Sequence, residues 1–400
     1  MKMDSAIPSA ATPHPRLEWF LLHAGFVVIG VITTSLGPLL PMYARHWGLN
    51  DAQAGFFFTA QYFTSLVASI ATGWLFPRLG FSRVLGVGFL FLTLGMGFLG
   101  VSPWFLTALC VSANGFGYGL ANPATNLRGT QLPSSNVAAA VSLLNFSWGV
   151  GAVICPFLVA ALVPWIGIRG FAMFVGVFTL AIAVAHFLRP APAVAVAAER
   201  KKHSFADWMG HLRVGPAIPL VVLFFLYVGT ESGIGGWVAA LEKRMPSGGH
   251  VSALTVAPSV FYGFLLFGRG LAPLVLRRFS TVAITVGALV MLAMGTGIIA
   301  LANSPVVLLV GVGMAGFGCA VQYPVLITWL AEIFKKDADW MGALFFSAGG
   351  LGGAVLPWMI GIIAAQTHSL RAGFLVPLVA SMSMVMLALK ARPQTRQSAG

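Results

Sequence analysis

Twelve apolar runs, each long enough to cross a bilayer as a helix, fill almost all of the chain between residues 17 and 390. Their approximate limits are 17–43, 52–76, 82–101, 104–127, 136–163, 168–188, 217–242, 252–276, 280–302, 305–333, 338–367 and 369–390. A hydrocarbon core of ~30 Å needs about 20 helical residues. The runs are continuous and do not alternate in polarity, which argues against the strands of a membrane barrel. The chain is 58% hydrophobic and 8% charged, against roughly a quarter charged in soluble domains, and its mean hydropathy is +0.89. A soluble protein could bury many apolar residues, but its surface would still need charge. The expected fold is therefore an all-α membrane protein of twelve transmembrane helices, its outer surface facing the lipid bilayer.

Net charge is +13. In a soluble chain that balance would suggest nucleic acid, but here the basic residues sit in short connections between apolar runs, so they read as topology and no nucleic-acid partner is expected. With the N-terminus in the cytoplasm, 17 of the 23 lysines and arginines fall on the cytoplasmic side. Arg45, Arg169, Lys243, Arg244 and Arg371 fall outside, and Arg269 lies within a run. This bias puts both termini in the cytoplasm. The expected location is the plasma membrane, as in a bacterial inner membrane. The division that follows is a tail at 1–16, a six-helix bundle at 17–188, a cytoplasmic linker at 189–216, a second bundle at 217–390 and a tail at 391–400. The linker joins a Pro/Ala-rich start to a basic cluster at 200–202, a composition suited to a flexible segment on an anionic leaflet. No signal peptide is evident, because the first sixteen residues are polar and the run after them is too long for one. Cys110, Cys155 and Cys319 all lie inside apolar runs and read as small core residues.

The chain writes one phrase twice. Residues 115–123 are GFGYGLANP and residues 316–324 are GFGCAVQYP. FSWGVGAVICP at 146–156 similarly matches FSAGGLGGAVLP at 346–357, and Pro77-Arg78 matches Arg277-Arg278. Six spans separate the copies, an even number, so the two halves point the same way through the membrane, as parallel repeats do in two-halved transporters. The glycines allow close helix packing and the prolines kink the helices. A phosphate-cradling loop is a poor reading of the phrase, since no strand precedes it and the spacing misses GxGxxG.

This architecture resembles the major facilitator superfamily over essentially the whole chain. GWLFPRLGFSR at 73–83 is similar to that superfamily's loop signature, Gly-x-x-x-Asp-Arg-x-Gly-Arg-Lys/Arg, with Gly73, Arg78 and Gly80 in place and Pro77 at the aspartate position. GPLLPMYARHWGLNDAQAGFFFTAQYF at 37–63, the fourth run ending in ANP, and LLNFSWGVGA at 143–152 look like the fucose–galactose–glucose:proton symporter branch. YVGTESGIGGW at 227–237 is similar to sodium-dependent glucose transporters. The resemblance implies a solute site at mid-depth between the halves, a sugar as solute, and a proton or sodium ion as coupling ion.

Polar side chains at that depth are costly and need a reason. The fourth run carries Asn114, Tyr118, Asn122 and Asn126, each four apart on one face. The fifth carries Asn145 and Trp148, the second Gln61 and Tyr62, and the tenth Gln322 and Tyr323. The seventh has Tyr227 and Glu231 with Trp237 beyond, and the eighth has Tyr262 and Arg269. Any single amide could be interhelical glue, whereas the clustered set reads as a cavity lining. The expected solute ligands are Gln61, Asn114, Tyr118, Asn122, Asn145, Trp148, Tyr227, Trp237, Tyr262 and Gln322, and the expected coupling pair is Glu231 with Arg269. Glu231 is the carboxylate deepest within a run, and Glu332 beside Lys335 and Lys336 reads as solvated. Gly229, Gly233, Gly235 and Gly236 around Glu231 would let that helix bend or unwind. His23 reads as structural.

Amides pair with hydroxyls, and an indole can face the apolar side of a sugar ring. The expected function is thus secondary active transport of a small neutral polar solute, with a sugar favoured. The alternative within transport is a proton-coupled exporter of amphipathic or cationic compounds, in which an isolated glutamate attracts the cation. An enzyme would need a nucleophile–base pair, a metal cluster or several acids, and the runs offer none. Neither a cofactor nor a metal is expected. The topology predicts that an impermeant thiol reagent added outside labels a cysteine placed at Ser247 but not one placed at Ser204. The reverse pattern would invert the orientation.

Overall fold

A computed structural model of the chain describes residues 15–100, 103–132, 137–189, 217–245, 256–275, 277–334 and 338–391. Most of the expected linker, both tails nearly entire, and the loop after residue 245 lie outside the described residues. The described elements are all α-helices. They are α1 (Pro15–Trp47), α2 (Asp51–Gly97), α3 (Trp104–Gln131), α4 (Val137–Phe187), α5 (Ala217–Lys243), α6 (Ala257–Val275), α7 (Thr281–Leu301), α8 (Pro305–Cys319), α9 (Gln322–Phe334), α10 (Ala338–Thr367), α11 (Leu370–Gly373) and α12 (Leu375–Ala391).

The helices and the twelve predicted runs correspond, with four differences at the joints. α2 has 47 residues and α4 has 51, about 70 Å or more at 1.5 Å per residue. That is over twice the thickness of the hydrocarbon core. Each is interrupted at one glycine with positive φ, Gly80 at 75° and Gly167 at 68°, a conformation that glycine adopts without steric cost. Each long helix therefore holds two predicted runs. The tenth run, conversely, is broken between α8 and α9. Pro324 has no N–H to give the carbonyl of residue 320, and its ring crowds that carbonyl. The last run is broken at Phe374, between α11 and α12. Among the described residues nine stretches are long and apolar enough to cross a membrane. α3 and α6, which carry the polar residues of the fourth and eighth runs, are not among the nine. Outward, large apolar side chains such as Phe20, Trp165, Leu301 and Met386 are exposed, as a lipid-facing surface requires.

The repeated phrase does the same packing job in both halves. A Cβ on Gly117 would lie 2.6 Å from the carbonyl oxygen of Gly88, and a Cβ on Gly318 would lie 2.6 Å from that of Ala288. The first glycine of each phrase is pressed on a different neighbour. Gly115 abuts the carbonyl of Gln61 in α2, and Gly316 abuts that of Phe261 in α6. All four contacted residues sit at equivalent places in the two halves. Each GFG thus seats one helix against two others at backbone distance, where any side chain would collide.

The glycines around Glu231 have another use than the expected bending. α5 runs unbroken from Ala217 to Lys243. A Cβ on Gly229 would lie 2.7 Å from the carbonyl of Gly352 in α10. A Cβ on Gly37 of α1 would lie 2.8 Å from that of Gly235. Gly236 is pressed on the ring of Phe58. These residues are small so that α5 can serve as a seam.

That seam is closed at one end of the molecule. Arg244, just after α5, holds Asp51 of α2 through two bonds of 2.9 and 2.5 Å. Thr59 donates to the carbonyl of Ala354 at 2.8 Å, and Ser259 to that of Val153 at 3.1 Å. Gly55 lies against Trp358, and Phe58 against Trp237. Toward the other end, the glycine contacts between the halves among the described residues stop at the pairs Leu66–Gly350 and Leu266–Gly149, near mid-depth. Beyond them Leu127 and Thr130 of α3, and Pro324 and Thr328 of the repeat-related α9, are exposed.

If the two glycine phrases are equivalent packing elements, Gly117→Val and Gly318→Val should each lower the thermal stability of the purified protein in detergent. The loss should be similar in the two variants, as expected for overpacking of about 1–3 kcal/mol. Wild-type unfolding midpoints for either variant would show that its close helix contact is dispensable.

Candidate solute site

The charged part of the site is built on α5 and α6. Glu231 stands near the middle of α5, and Tyr227, one turn earlier, donates its phenol to Oε2 of Glu231. From α6, Arg269 brings Nη2 to 3.9 Å from the same oxygen. Its guanidinium also lies 5.9 Å from the ring centroid of Tyr323 on α9. The Glu231 and Arg269 side chains are 17% and 21% exposed, respectively, so the pair is sheltered but reachable from the open end. Tyr62 of α2 accepts a 2.8 Å bond from Ser232. Tyr118 of α3 lies within electrostatic reach of Tyr62, Tyr323, Glu231 and Arg269. The Nε of Arg269 is buried with no acceptor among the described residues.

The uncharged part is an amide chain across α3 and α4. Asn145 donates to Oδ1 of Asn126 at 2.8 Å and to the carbonyl of Val141 at 2.9 Å. Asn126 donates in turn to Oδ1 of Asn122 at 3.2 Å. Trp148, three residues beyond Asn145 and hence on the same face, donates to Oγ1 of Thr33 at 3.1 Å. Its ring meets Tyr262 of the other half edge-on at 6.0 Å. Tyr262 in turn has its hydroxyl against Gly235, where a Cβ would collide with it.

Tyr118, Trp148, Tyr227, Glu231, Tyr262 and Arg269 are thus brought together across the halves, with Asn122 one turn beyond Tyr118 and Asn145 one turn before Trp148. Four other expected ligands point elsewhere. Asn114 faces the second span of α2, bonding Sδ of Met96 at 3.5 Å and crowding Gly95. Gln322 is fully buried and donates to the carbonyls of Thr285 and Gly318, each at 3.3 Å. Trp237 is buried, with its indole N–H bonded to the carbonyl of Pro357 at 2.8 Å. Gln61 is buried, donating to the carbonyl of Thr33 at 3.2 Å. These side chains tie helices together, since a polar group within the bundle must find its partner there. His23 bonds Ser147 at 2.8 Å, in keeping with a structural place.

Two residues stand outside the expected ligands and coupling pair. The first is Tyr323, which faces Arg269 where Gln322 was expected to point inward. The repeat held the signal. Gln322 aligns with Ala121, and Ala121 packs on Gly88, so that position faces a neighbouring helix in both halves. The second is Glu18, at the end that remains open. It is buried and held by Arg128 through bonds of 2.5 and 3.2 Å and by Arg189 at 3.3 Å. The partners are 110 and 171 residues away, beyond the reach of any local pattern. A second buried carboxylate therefore exists, and its two arginines place it in a clamp within the first bundle.

Comparison with known proteins follows the same lines. Residues 22–313 match the profile of the Major Facilitator Superfamily. The chain is 24% identical over 358 residues to the glucose/mannose transporter GlcP of Bacillus subtilis (strain 168), an alignment covering 85% of this chain and 86% of that protein. Among solved structures, it superposes on the E. coli fucose:proton symporter FucP with a TM-score of 0.67 at 17% identity, covering 95% of this chain and 99% of that one. It superposes on the nucleoside transporter NupG with a TM-score of 0.77 at 12% identity, covering 94% and 100%. Described elements that are all helical, membrane-crossing apolar helices, a duplicated glycine phrase seating equivalent helices in two halves, and a polar cluster between them agree with that match: this protein is a multi-pass membrane transporter belonging to the Major Facilitator Superfamily.

Proposed function

We propose that the chain carries a small neutral polar solute, with a sugar favoured, by alternating access coupled to a proton or a sodium ion. The observation that carries this reading is the composition of the space between the halves. One carboxylate and one guanidinium offset each other there, and the rest of the lining is amide, phenol and indole. Asn122 can donate its amide N–H groups to hydroxyls, and Asn145, whose own N–H groups are given to Asn126 and Val141, can accept from them through Oδ1. Trp148 and Tyr262 offer aromatic surface to the apolar face of a ring. GlcP is named for glucose and mannose and FucP for fucose and protons, which supports the sugar class. The lysine and arginine bias makes the sealed end the outer one, with both termini in the cytoplasm of a bacterial cell. The conformation described is then open to the inside.

The geometry around Glu231 supports coupling there. The ionised carboxylate is balanced by Arg269 and Tyr227, so the empty site holds no bare charge. A proton on Glu231 would weaken that hold and leave Arg269, whose Nε lacks an acceptor, to donate to a solute oxygen. Loss of the proton to the inner side would restore the pair and expel the solute. An exporter of amphipathic or cationic compounds would use an unpaired Glu231 as its attractant, and Arg269 at 3.9 Å weighs against that reading.

Glu231→Gln keeps the shape and hydrogen bonding of the side chain but cannot ionise. In proteoliposomes given a panel of neutral monosaccharides (glucose, mannose and fucose among them), this variant should lose accumulation against a gradient and keep solute exchange. Accumulation by Glu231→Gln with the wild-type pH dependence would refute the coupling role. Transport of none of the sugars by wild type, alongside transport of lipophilic cations, would refute the solute class.

A further inference from the structure

At the sealed end a cleft of about 380 Å3 is lined by Pro41, Met42, Arg45 and His46 of α1, Ile168 of α4 and Lys243 of α5. α1 and α4 belong to the first repeat and α5 to the second, so the cleft straddles the seam. Arg45, His46 and Lys243 are exposed, and Lys243 lies within electrostatic reach of Arg45. Like charges brought together across a seam oppose its closure. An anion between them would reverse the sign of that effect.

The chain has little with which to supply that anion. Asp51 and Glu242 are the acidic residues at this end. Asp51 is held by both nitrogens of the Arg244 fork. Glu242 accepts the backbone N–H groups of Val256 and Ala257 at 3.2 and 3.0 Å, capping the start of α6. The neighbouring segment 246–255, PSGGHVSALT, contains no aspartate or glutamate. The cleft is therefore a cationic pocket whose nearby carboxylates are bonded elsewhere, with Glu242 offsetting Lys243 only through its field.

Its remaining walls narrow the occupant. Pro41, Met42 and Ile168 are apolar, and next to Ile168 the side chains of Trp165 and Ile166 are 87% and 48% exposed. An exposed tryptophan beside an isoleucine is what the boundary between hydrocarbon and headgroups accommodates. We propose that this cleft binds a phosphate-bearing anion, that the occupant is the headgroup of an anionic phospholipid, and that it pins the two halves together at this end. Arg45 and Lys243 grip the phosphate from opposite halves, His46 adds a donor, and the acyl chains run along the apolar wall. The occupant thereby favours the conformation sealed at this end, independently of the solute bound deeper.

The test uses the full chain in vesicles of phosphatidylcholine, with or without phosphatidylglycerol. Retained lipid is counted by native mass spectrometry, and the unfolding midpoint is measured alongside. Phosphatidylglycerol should be retained in preference to phosphatidylcholine and should raise the midpoint. Arg45→Gln/Lys243→Gln should lose both effects while keeping its midpoint in phosphatidylcholine alone, and Lys243→Arg should keep both effects. Equal retention of phosphatidylglycerol by the double variant would overturn the site. Stabilisation by inorganic phosphate in phosphatidylcholine vesicles, equal to that by the lipid, would overturn the lipid as occupant.

Discussion

A polar group held in hydrocarbon must find its partner inside the bundle, because no water is there to take its place. That constraint sorts the mid-depth polar residues named above into two roles. Asn114, Gln322, Gln61 and Trp237 spend their donors on a neighbouring helix and stiffen a half or a seam. Tyr118, Asn122, Asn145, Trp148 and the Glu231–Arg269 pair come together between the halves. Both groups contain amides and an indole, and for these the difference lies in which way each helix face is turned.

The orientation of those faces is set by glycine. At Gly115 and Gly117, and again at Gly316 and Gly318, helices meet at backbone distance, which fixes how α3 and α8 are rotated about their axes. Once that rotation is set, Ala121 falls against Gly88 and Asn122 on another face, and past the break after α8 the aligned Gln322 of α9 is buried toward Thr285 while Tyr323 faces Arg269. The duplicated phrase is thus a packing device that places the site without touching the solute. The same economy appears along α5, where a glycine run brings α1, α2 and α10 close enough to seal one end while Glu231 stays at mid-depth.

Much of this was legible from residue order. Continuous apolar runs, the lysine and arginine bias and the offset between repeats define a two-halved all-α membrane protein. Glu231 and Arg269, Asn145 and Trp148 could be singled out because they are expensive at that depth. What stayed hidden depends on rotation and on distance in sequence. Spacing of four put Asn114 on the same stripe as Tyr118 and Asn122, yet Asn114 lies two turns away from Asn122, where the neighbour is the second span of α2 rather than the other half. Glu18 is not marked out by residue order because its arginines arrive from the ends of the fourth and sixth spans. The joins at Gly80 and Gly167 escaped notice because a single left-handed glycine reverses a chain without the polar loop that usually marks a turn.

The central claim is that two rigid halves rock about a mid-depth site whose charge is switched at Glu231. Spin labels at Gln131 and Glu332, exposed positions near the open ends of α3 and α9, would read that motion directly, since Cys110, Cys155 and Cys319 are buried. The account predicts a long distance between the labels in the empty protein at alkaline pH. It predicts a second, shorter population when glucose is added at acidic pH, and a large share of that population in Glu231→Gln even at alkaline pH. One unchanged distance under all of these conditions, in protein that still transports glucose, would contradict it.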